Sequence, residues 1–185
     1  MVMTVPPNEL YLGSLFSGAG GLDIAMERVF NARTIWQSEV NKAASTVLAK
    51  RFGVPNLGDI TKIDWHTVPA VDVLCGGFPC QDVSHAGLKA GIEDGTRSGL
   101  WSYFAEAIDV LRPRYVVIEN VRGLLSAKAQ GGHGVPMRAM ARVLGDLSDL
   151  GYDASWKTIA ASSVGAPHKR ERVFILAQPA HALSA

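Results

Sequence analysis

The chain has 185 residues, 48% hydrophobic and 19% charged, with a net charge of +1. This is the balance of one globular domain with a real core. It leaves no apolar run of about 20 residues to cross a bilayer, no secretion signal in "MVMTVPPNEL", and little positive charge for a broad phosphate-binding footprint. The two cysteines, Cys75 and Cys80, stand too close together for a structural disulfide and lack a second Cys/His pair at zinc spacing. A reducing cytosol and no metal site are therefore expected.

In chain order, "LYLGSLF" (Leu10 to Phe16) reads as a strand, and "GLDIAMERVF" as a helix with Leu22, Ala25, Met26 and Val29 on one face. "RTIWQSEV" is a second strand, followed by a helix from Lys42 to Phe52 that Gly53 stops. "VDVLCGG" (Val71 to Gly77) is a short continuous apolar run, as in a strand buried on both faces. "GLWSYFAEAIDVL" sets Leu100, Phe104, Ile108 and Leu111 on one helical stripe, with Pro113 just beyond. "YVVIENV" is another buried strand, and a helix with Met140, Leu144 and Leu147 lies between Pro136 and Gly151. "ASWKTIAA" and "RVFILAQ" follow with no helix between them and so are expected as antiparallel neighbours. Strand–helix alternation with Val/Ile-rich strands predicts a doubly wound, mostly parallel α/β sheet, with ligands at the carboxyl ends of the strands.

Four loops at those ends hold the candidate chemistry. "FSGAGGLD" (Phe16 to Asp23) places Gly18, Gly20 and Gly21 between a strand and a helix, where the backbone can turn tightly and approach a ligand. Glu39 ends the second strand, where an acid can accept hydrogen bonds from both ribose hydroxyls of a nucleoside. Asp59, in "GDI", could accept from an adenine amino group. Each alone is also what a tight turn or a solvated acid would give; together they suggest a nucleoside-bearing cofactor.

The fourth loop is "GGFPCQDVS". Cys75 lies inside the apolar run and reads as a core residue, whereas Cys80 follows in a Gly/Pro turn. A thiolate there is a strong nucleophile if a cation lowers its pKa, with Arg122, Arg170 and Arg172 as candidates. "VIENV" delivers Glu119 and Asn120 beside it, since consecutive parallel strands are often neighbours. Glu119 can act as an acid there, or simply stabilise a helix N-terminus.

In order, "LFSGAGGLD", "GFPCQDVS", "ENVRGLL" and "GAPHKRERVFIL" resemble motifs I, IV, VI and VIII of the DNA (cytosine-5) methyltransferases, over nearly the whole chain from Leu12 to Leu176. The resemblance implies an S-adenosylmethionine-dependent, Rossmann-like fold: a mostly parallel seven-stranded sheet with one antiparallel strand and helices on both faces. It implies S-adenosylmethionine, released as S-adenosylhomocysteine, held by Phe16, Ser17, Gly18, Gly20, Gly21, Glu39, Val40, Asp59, Ile60, Pro79 and Leu100, with no metal. Cys80 resembles the nucleophile that attacks cytosine C6 and Glu119 the residue that grips N3 and N4. Arg170 resembles the arginine on the base carbonyl, and Arg172 its structural companion. Gln81, Ser84, Arg97 and Asn120 are the implied nucleic-acid contacts, on or beside a catalytic loop running from Gln81 to Gly99.

This chemistry needs those residue types. Thiolate addition at C6 turns the ring into an enamine whose C5 can take a methyl group, a donor at N3 stabilises the developing charge, and the target base must be flipped out of the duplex. Ser14 and His168 depart from residues common in the family at those positions, and neither removes a catalytic group. After "VFILAQP" the family continues into a target-recognition domain and motifs IX and X, whereas this chain stops at Ala185. The expectation is a single catalytic domain over residues 1–185, cytoplasmic, bacterial or phage-encoded, and acting on double-stranded DNA of the nucleoid. It would not be sequence-specific alone, and would work with a second subunit or by self-association. A tRNA cytosine-5 methyltransferase and a non-catalytic cofactor-binding subunit are the alternatives.

Overall fold

A computed structural model describes residues 9–79, 99–130 and 136–180. In chain order the elements are β1 (Leu10–Leu15), α1 (Gly21–Phe30), β2 (Ala32–Ser38), α2 (Lys42–Arg51), β3 (Val73–Gly76), α3 (Leu100–Leu111), β4 (Tyr115–Val121), β5 (Lys128–Gln130), β6 (Pro136–Arg138), α4 (Ala139–Asp149), β7 (Tyr152–Ala160) and β8 (Glu171–Pro179). Six strands form the main sheet in the order β2-β1-β3-β4-β8-β7, and β5 and β6 form a small separate hairpin. The neighbours β2-β1, β1-β3 and β3-β4 are parallel, while β8 is antiparallel to both β4 and β7. One strand therefore runs against the other five, as expected.

The expected seven strands are corrected to six among the described residues. Between α2 and β3 the chain makes only an isolated parallel bridge, Gln37 with Asn56. Gln37 N–H donates to the Pro55 carbonyl at 2.9 Å, and Leu57 N–H donates to the Gln37 carbonyl at 2.7 Å. Pro55 has no N–H with which to lengthen the ladder. Asp59 then caps a 3-10 turn, Ile60–Lys62, that leads the chain off the sheet.

The larger core lies between the sheet and α3 with α4. Leu15, Leu74, Val116, Ile118 and Ile175 meet Phe104, Ile108, Val143 and Leu147, all essentially without exposed surface. The opposite face is thinner: Leu12, Val73, Cys75 and Val117 sit under Leu22, Met26 and Phe30 of α1. The helical stripe of α1 differs here from the sequence reading. Val29 is 72% exposed, because the 22/26/30 ridge, spaced by four, meets the sheet instead. Cys75 is fully buried, as expected of a core residue, and burial pushes its thiol far up.

Candidate functional site

The site is built at the carboxyl ends of β1, β2, β3 and β4. The chain leaves β1 through Phe16, whose φ of +52° is costly for a bulky side chain. It holds this conformation with its ring 6.4 Å from that of Phe104 and with Ser17 N–H on the Ser38 carbonyl. Gly20 then starts α1 in the left-handed region, at φ +79°. Any side chain there would be strained, and a Cβ would lie 2.4 Å from the Phe52 ring. Glycine is thus required twice over at that position.

Glu39 reaches across from the end of β2. One carboxylate oxygen accepts from Gly18 N–H at 2.8 Å and the other from Asn41 N–H at 2.7 Å. Its backbone is held by Asn56, which accepts from Glu39 N–H, donates to the Glu39 carbonyl and also accepts from Gly58 N–H, each at 3.0 Å. Asn56 thereby ties together the two loops that carry Glu39 and Asp59. The sequence reading passed over it; its only signal was an Asn two residues before a Gly, a turn pattern.

The other cofactor-side predictions divide. Val40 is 68% exposed beside Glu39, an apolar surface open to a ligand. Ile60 is in the core and Ser17 is buried, its hydroxyl turned inward to Ser14 Oγ at 2.9 Å. These two can offer a ligand only their backbone. Asp59 uses one oxygen to accept from the Thr61 amide and hydroxyl, and its carboxyl is held below the usual carboxylate range chiefly by that hydroxyl. Its other oxygen lies 3.6 Å from Lys62. Leu100 packs at the start of α3 against the main core, and Pro79 is exposed.

Across the sheet, Glu119 projects from β4 and forms an ion pair with Arg172 of β8, Oε1 to Nε at 2.6 Å. The antiparallel register sets Val121 opposite Arg172, so Glu119 and Arg172 are diagonal neighbours on one face. Gly77 lets the turn after β3 lie against this carboxylate, since a Cβ there would come within 3.0 Å of Glu119 Oε2. Arg172, rather than Arg170, is the arginine beside Glu119. Arg170 is exposed at φ +23° and makes no side-chain hydrogen bond or ion pair among the described residues. Arg122 is paired with Glu171 at 2.8 Å.

Asn120, expected as a nucleic-acid contact, faces the protein here. It is 3% exposed, its amide donates to the Phe78 carbonyl at 2.8 Å and its oxygen accepts from Val121 N–H. It braces the turn that leads to Pro79 instead of presenting its amide outward. Cys80, Gln81, Ser84 and Arg97 lie outside the described residues. A cavity of about 380 Å³ joins the two sides, and its lining includes Phe16, Ser17, Gly21, Gly77, Glu119 and Phe174.

A family profile described as C-5 cytosine-specific DNA methylase matches residues 10–181. Among curated proteins, the Type II methyltransferase M.DsaV of Dactylococcopsis salina is 36% identical over 168 residues, covering 91% of this chain and 45% of that protein. M2.BsuMI of Bacillus subtilis is 38% identical over 169 residues, covering 89% and 41%. The chain thus spans less than half the length of the curated relatives it matches. Among solved structures, the Schizosaccharomyces pombe Dnmt2 methyltransferase superposes with a TM-score of 0.71 at 19% identity, over 92% of this chain and 51% of that one. The Entamoeba histolytica methyltransferase EhMeth does so with a TM-score of 0.64 at 18% identity, over 92% and 53%. At these identities the likeness shows the fold.

Proposed function

Because the chain belongs to the C-5 cytosine-specific DNA methylase family, we infer that it carries the methyl-transfer centre of a DNA (cytosine-5) methyltransferase that uses S-adenosylmethionine. The observation that carries this reading is Glu119. It is held by Arg172 on the strand next to the one that leads to Pro79 and Cys80, and it shares one cavity with the glycine-rich loop.

The residues present fit a nucleoside-bearing cofactor. Each Glu39 oxygen accepts one amide hydrogen bond and keeps acceptor capacity for a ribose hydroxyl. Phe16 and Val40 offer apolar surface on the same edge, and a Cβ at Gly18 or Gly21 would meet nothing within 4 Å, so the loop faces open space. When bound, S-adenosylmethionine supplies an electrophilic methyl group on its sulfonium sulfur.

The protein's own part begins at the flipped cytosine. The Glu119 carboxyl accepts from the N4 amino group and carries the proton donated to N3, and the contact with Arg172 fixes its direction, so this contact costs no reorganisation when charge develops on the ring. Asn120 sets the Phe78 carbonyl and with it the path of the chain into Pro79. The thiolate of Cys80 adds to C6, the electron pair this places on C5 takes up the methyl group, the C5 proton is lost to solvent, and the sulfur–carbon bond then breaks to restore the thiolate.

A 5-fluorocytosine duplex tests this directly, because fluorine at C5 cannot leave as a proton does. Wild-type protein with cofactor is expected to form a covalent adduct and Cys80→Ser protein none, while both bind cofactor alike. An adduct that persists in Cys80→Ser overturns the assignment. Tritium from labelled cofactor is expected in poly(dG-dC); incorporation into tRNA instead would move the substrate class.

A further inference from the structure

Asp23 is 0% exposed, the lowest of any acidic residue among those described. It is the third residue of α1 and stands under the glycine-rich loop. One of its oxygens accepts from Gln37 Nε2 of β2 at 2.6 Å. Its other oxygen, Oδ2, is buried with no hydrogen-bond partner. Beside it a second polar link crosses the loop: Ser17 Oγ donates to Ser14, 2.9 Å from its hydroxyl and 3.2 Å from its carbonyl oxygen. Ser14, Ser17 and Asp23 all line the cavity that also holds Phe16 and Glu119. None of the catalytic steps above uses Asp23.

The geometry points to Asp23 as a positioning residue for the cofactor loop: a buried hydrogen-bonding wedge between α1 and β2 that keeps Phe16–Gly21 in the shape where Gly18 N–H meets Glu39. The inference rests on the cofactor reading above. Burial pushes the Asp23 carboxyl above the usual range, and Glu27 adds to that push, while Gln37 and the nearby Ser14 hydroxyl oppose it. A neutral carboxyl needs no counter-charge in this space. Once ionised, it leaves a buried charge that, among the described residues, faces only neutral donors, the Gln37 amide and the Ser14 hydroxyl, and no cation, so it draws in water. The lined cavity under the loop is where water can enter, so ionisation loosens the loop. The sign follows from the raised pKa: the ordering is fully present at low pH and is lost as pH rises through the folded-state pKa.

Three proteins test this: wild type, Asp23→Ala and Asp23→Asn. The amide keeps an oxygen for Gln37 and puts a donor at the Oδ2 position, so it mimics the neutral acid at every pH. In the cofactor-free chain, amide hydrogen exchange at Gly18, Gly20 and Gly21 is expected to be about tenfold faster in Asp23→Ala and within about threefold of wild type in Asp23→Asn. Calorimetry is expected to show the same ranking for S-adenosylhomocysteine affinity. Wild-type affinity falls as pH rises, and Asp23→Asn affinity does not. Glu27 of α1, Cys75 of β3, Glu119 of β4 and Arg172 of β8, the titratable or charged groups around this space, are unchanged in the Asn protein. An identical pH slope in the two proteins would therefore assign the effect to those groups and overturn the proposal. Loop exchange unchanged in Asp23→Ala, or Asp23→Asn behaving like Asp23→Ala, would also overturn it. If Asp23→Ala fails to fold, the comparison of wild type with Asp23→Asn across pH decides alone. Loop exchange that responds as expected in a wild-type chain that binds no cofactor would overturn the cofactor reading and leave the wedge standing.

Discussion

Over β1 and β2, the polar groups of the site are engaged before any ligand arrives. Glu39 accepts two amide hydrogen bonds, Asn56 links the loops on either side of it, and Asp59 caps a turn. Over β4 and β8, Glu119 rests, among the described residues, on one ion pair with Arg172, and the two side chains are 30% and 20% exposed. The β1/β2 edge is thus a hydrogen-bonded lattice with many small contributions, whereas the Glu119 carboxylate, among the described residues, is held by a single ion pair. A lattice spreads the loss of any member over its neighbours; a single contact does not. The roles proposed above would match this division, since binding tolerates small displacements and a reacting pair does not.

The comparison predicts that substitutions on the base edge will cost turnover and those on the cofactor edge will cost affinity. The largest effect is expected from Glu119→Gln, which keeps the shape but changes the proton inventory at N3. Methyl transfer should fall by about 10² to 10³, with cofactor affinity unchanged by calorimetry. A comparable loss of cofactor affinity would erase the distinction between the edges. Arg172→Ala comes next. It leaves the Glu119 carboxylate present but unguided, so a fall in kcat of about tenfold is expected from misplacement alone, with KM for cofactor unmoved. A Glu119→Gln/Arg172→Ala double variant no slower than Glu119→Gln alone would show that Arg172 acts through Glu119.

The sequence made the outline of this edge legible because the signals were local. Val73 to Cys75 and Tyr115 to Ile118 are continuous apolar runs, and these became the body of β3 and the first half of β4. Cys75 could be set apart from Cys80 because one lies within such a run and the other beyond it. What escaped was set by register and by packing between distant segments. Arg172 stands beside Glu119 because β8 turns back antiparallel and sets Val121 opposite it, a pairing that no spacing within "HKRER" reveals. Asn120 looked available because it adjoins Glu119, but alternation along a strand sends neighbours to opposite faces, and Asn120 finds the Phe78 carbonyl. Val29 fits the helical period of α1 as well as Met26 does, and only the position of the sheet decides which of them is covered.

On the β1/β2 edge, Glu39→Ala removes the proposed ribose acceptor and the hold on Gly18 together. The expected cost is about 1–3 kcal/mol of S-adenosylhomocysteine affinity, read by calorimetry, with Glu119-dependent steps intact at saturating cofactor. Unchanged affinity would place the nucleoside elsewhere along the sheet.

The smallest expected effect concerns Asp59, and it separates structural from ligand-binding acids within the same edge. Its carboxyl is held low by the Thr61 hydroxyl first and the Thr61 amide second, with Lys62 contributing less. A depressed pKa means that the ionised form stabilises the fold. That stabilisation is present above the unfolded carboxyl pKa and disappears as pH falls through the lower, folded value. Asparagine caps a helical turn nearly as well as aspartate but has no proton to take up. Asp59→Asn should therefore melt slightly below wild type at neutral pH, and the gap should close as the solution is acidified. Because the side chain is 38% exposed, solvent screening limits the difference to no more than about 2 °C. Thermal melts of both proteins at several pH values, with and without S-adenosylhomocysteine, read the two roles apart. A gap that closes with acid but is the same with and without ligand makes Asp59 a turn cap alone. A gap that widens when ligand is present means that its carboxylate also meets the bound nucleoside.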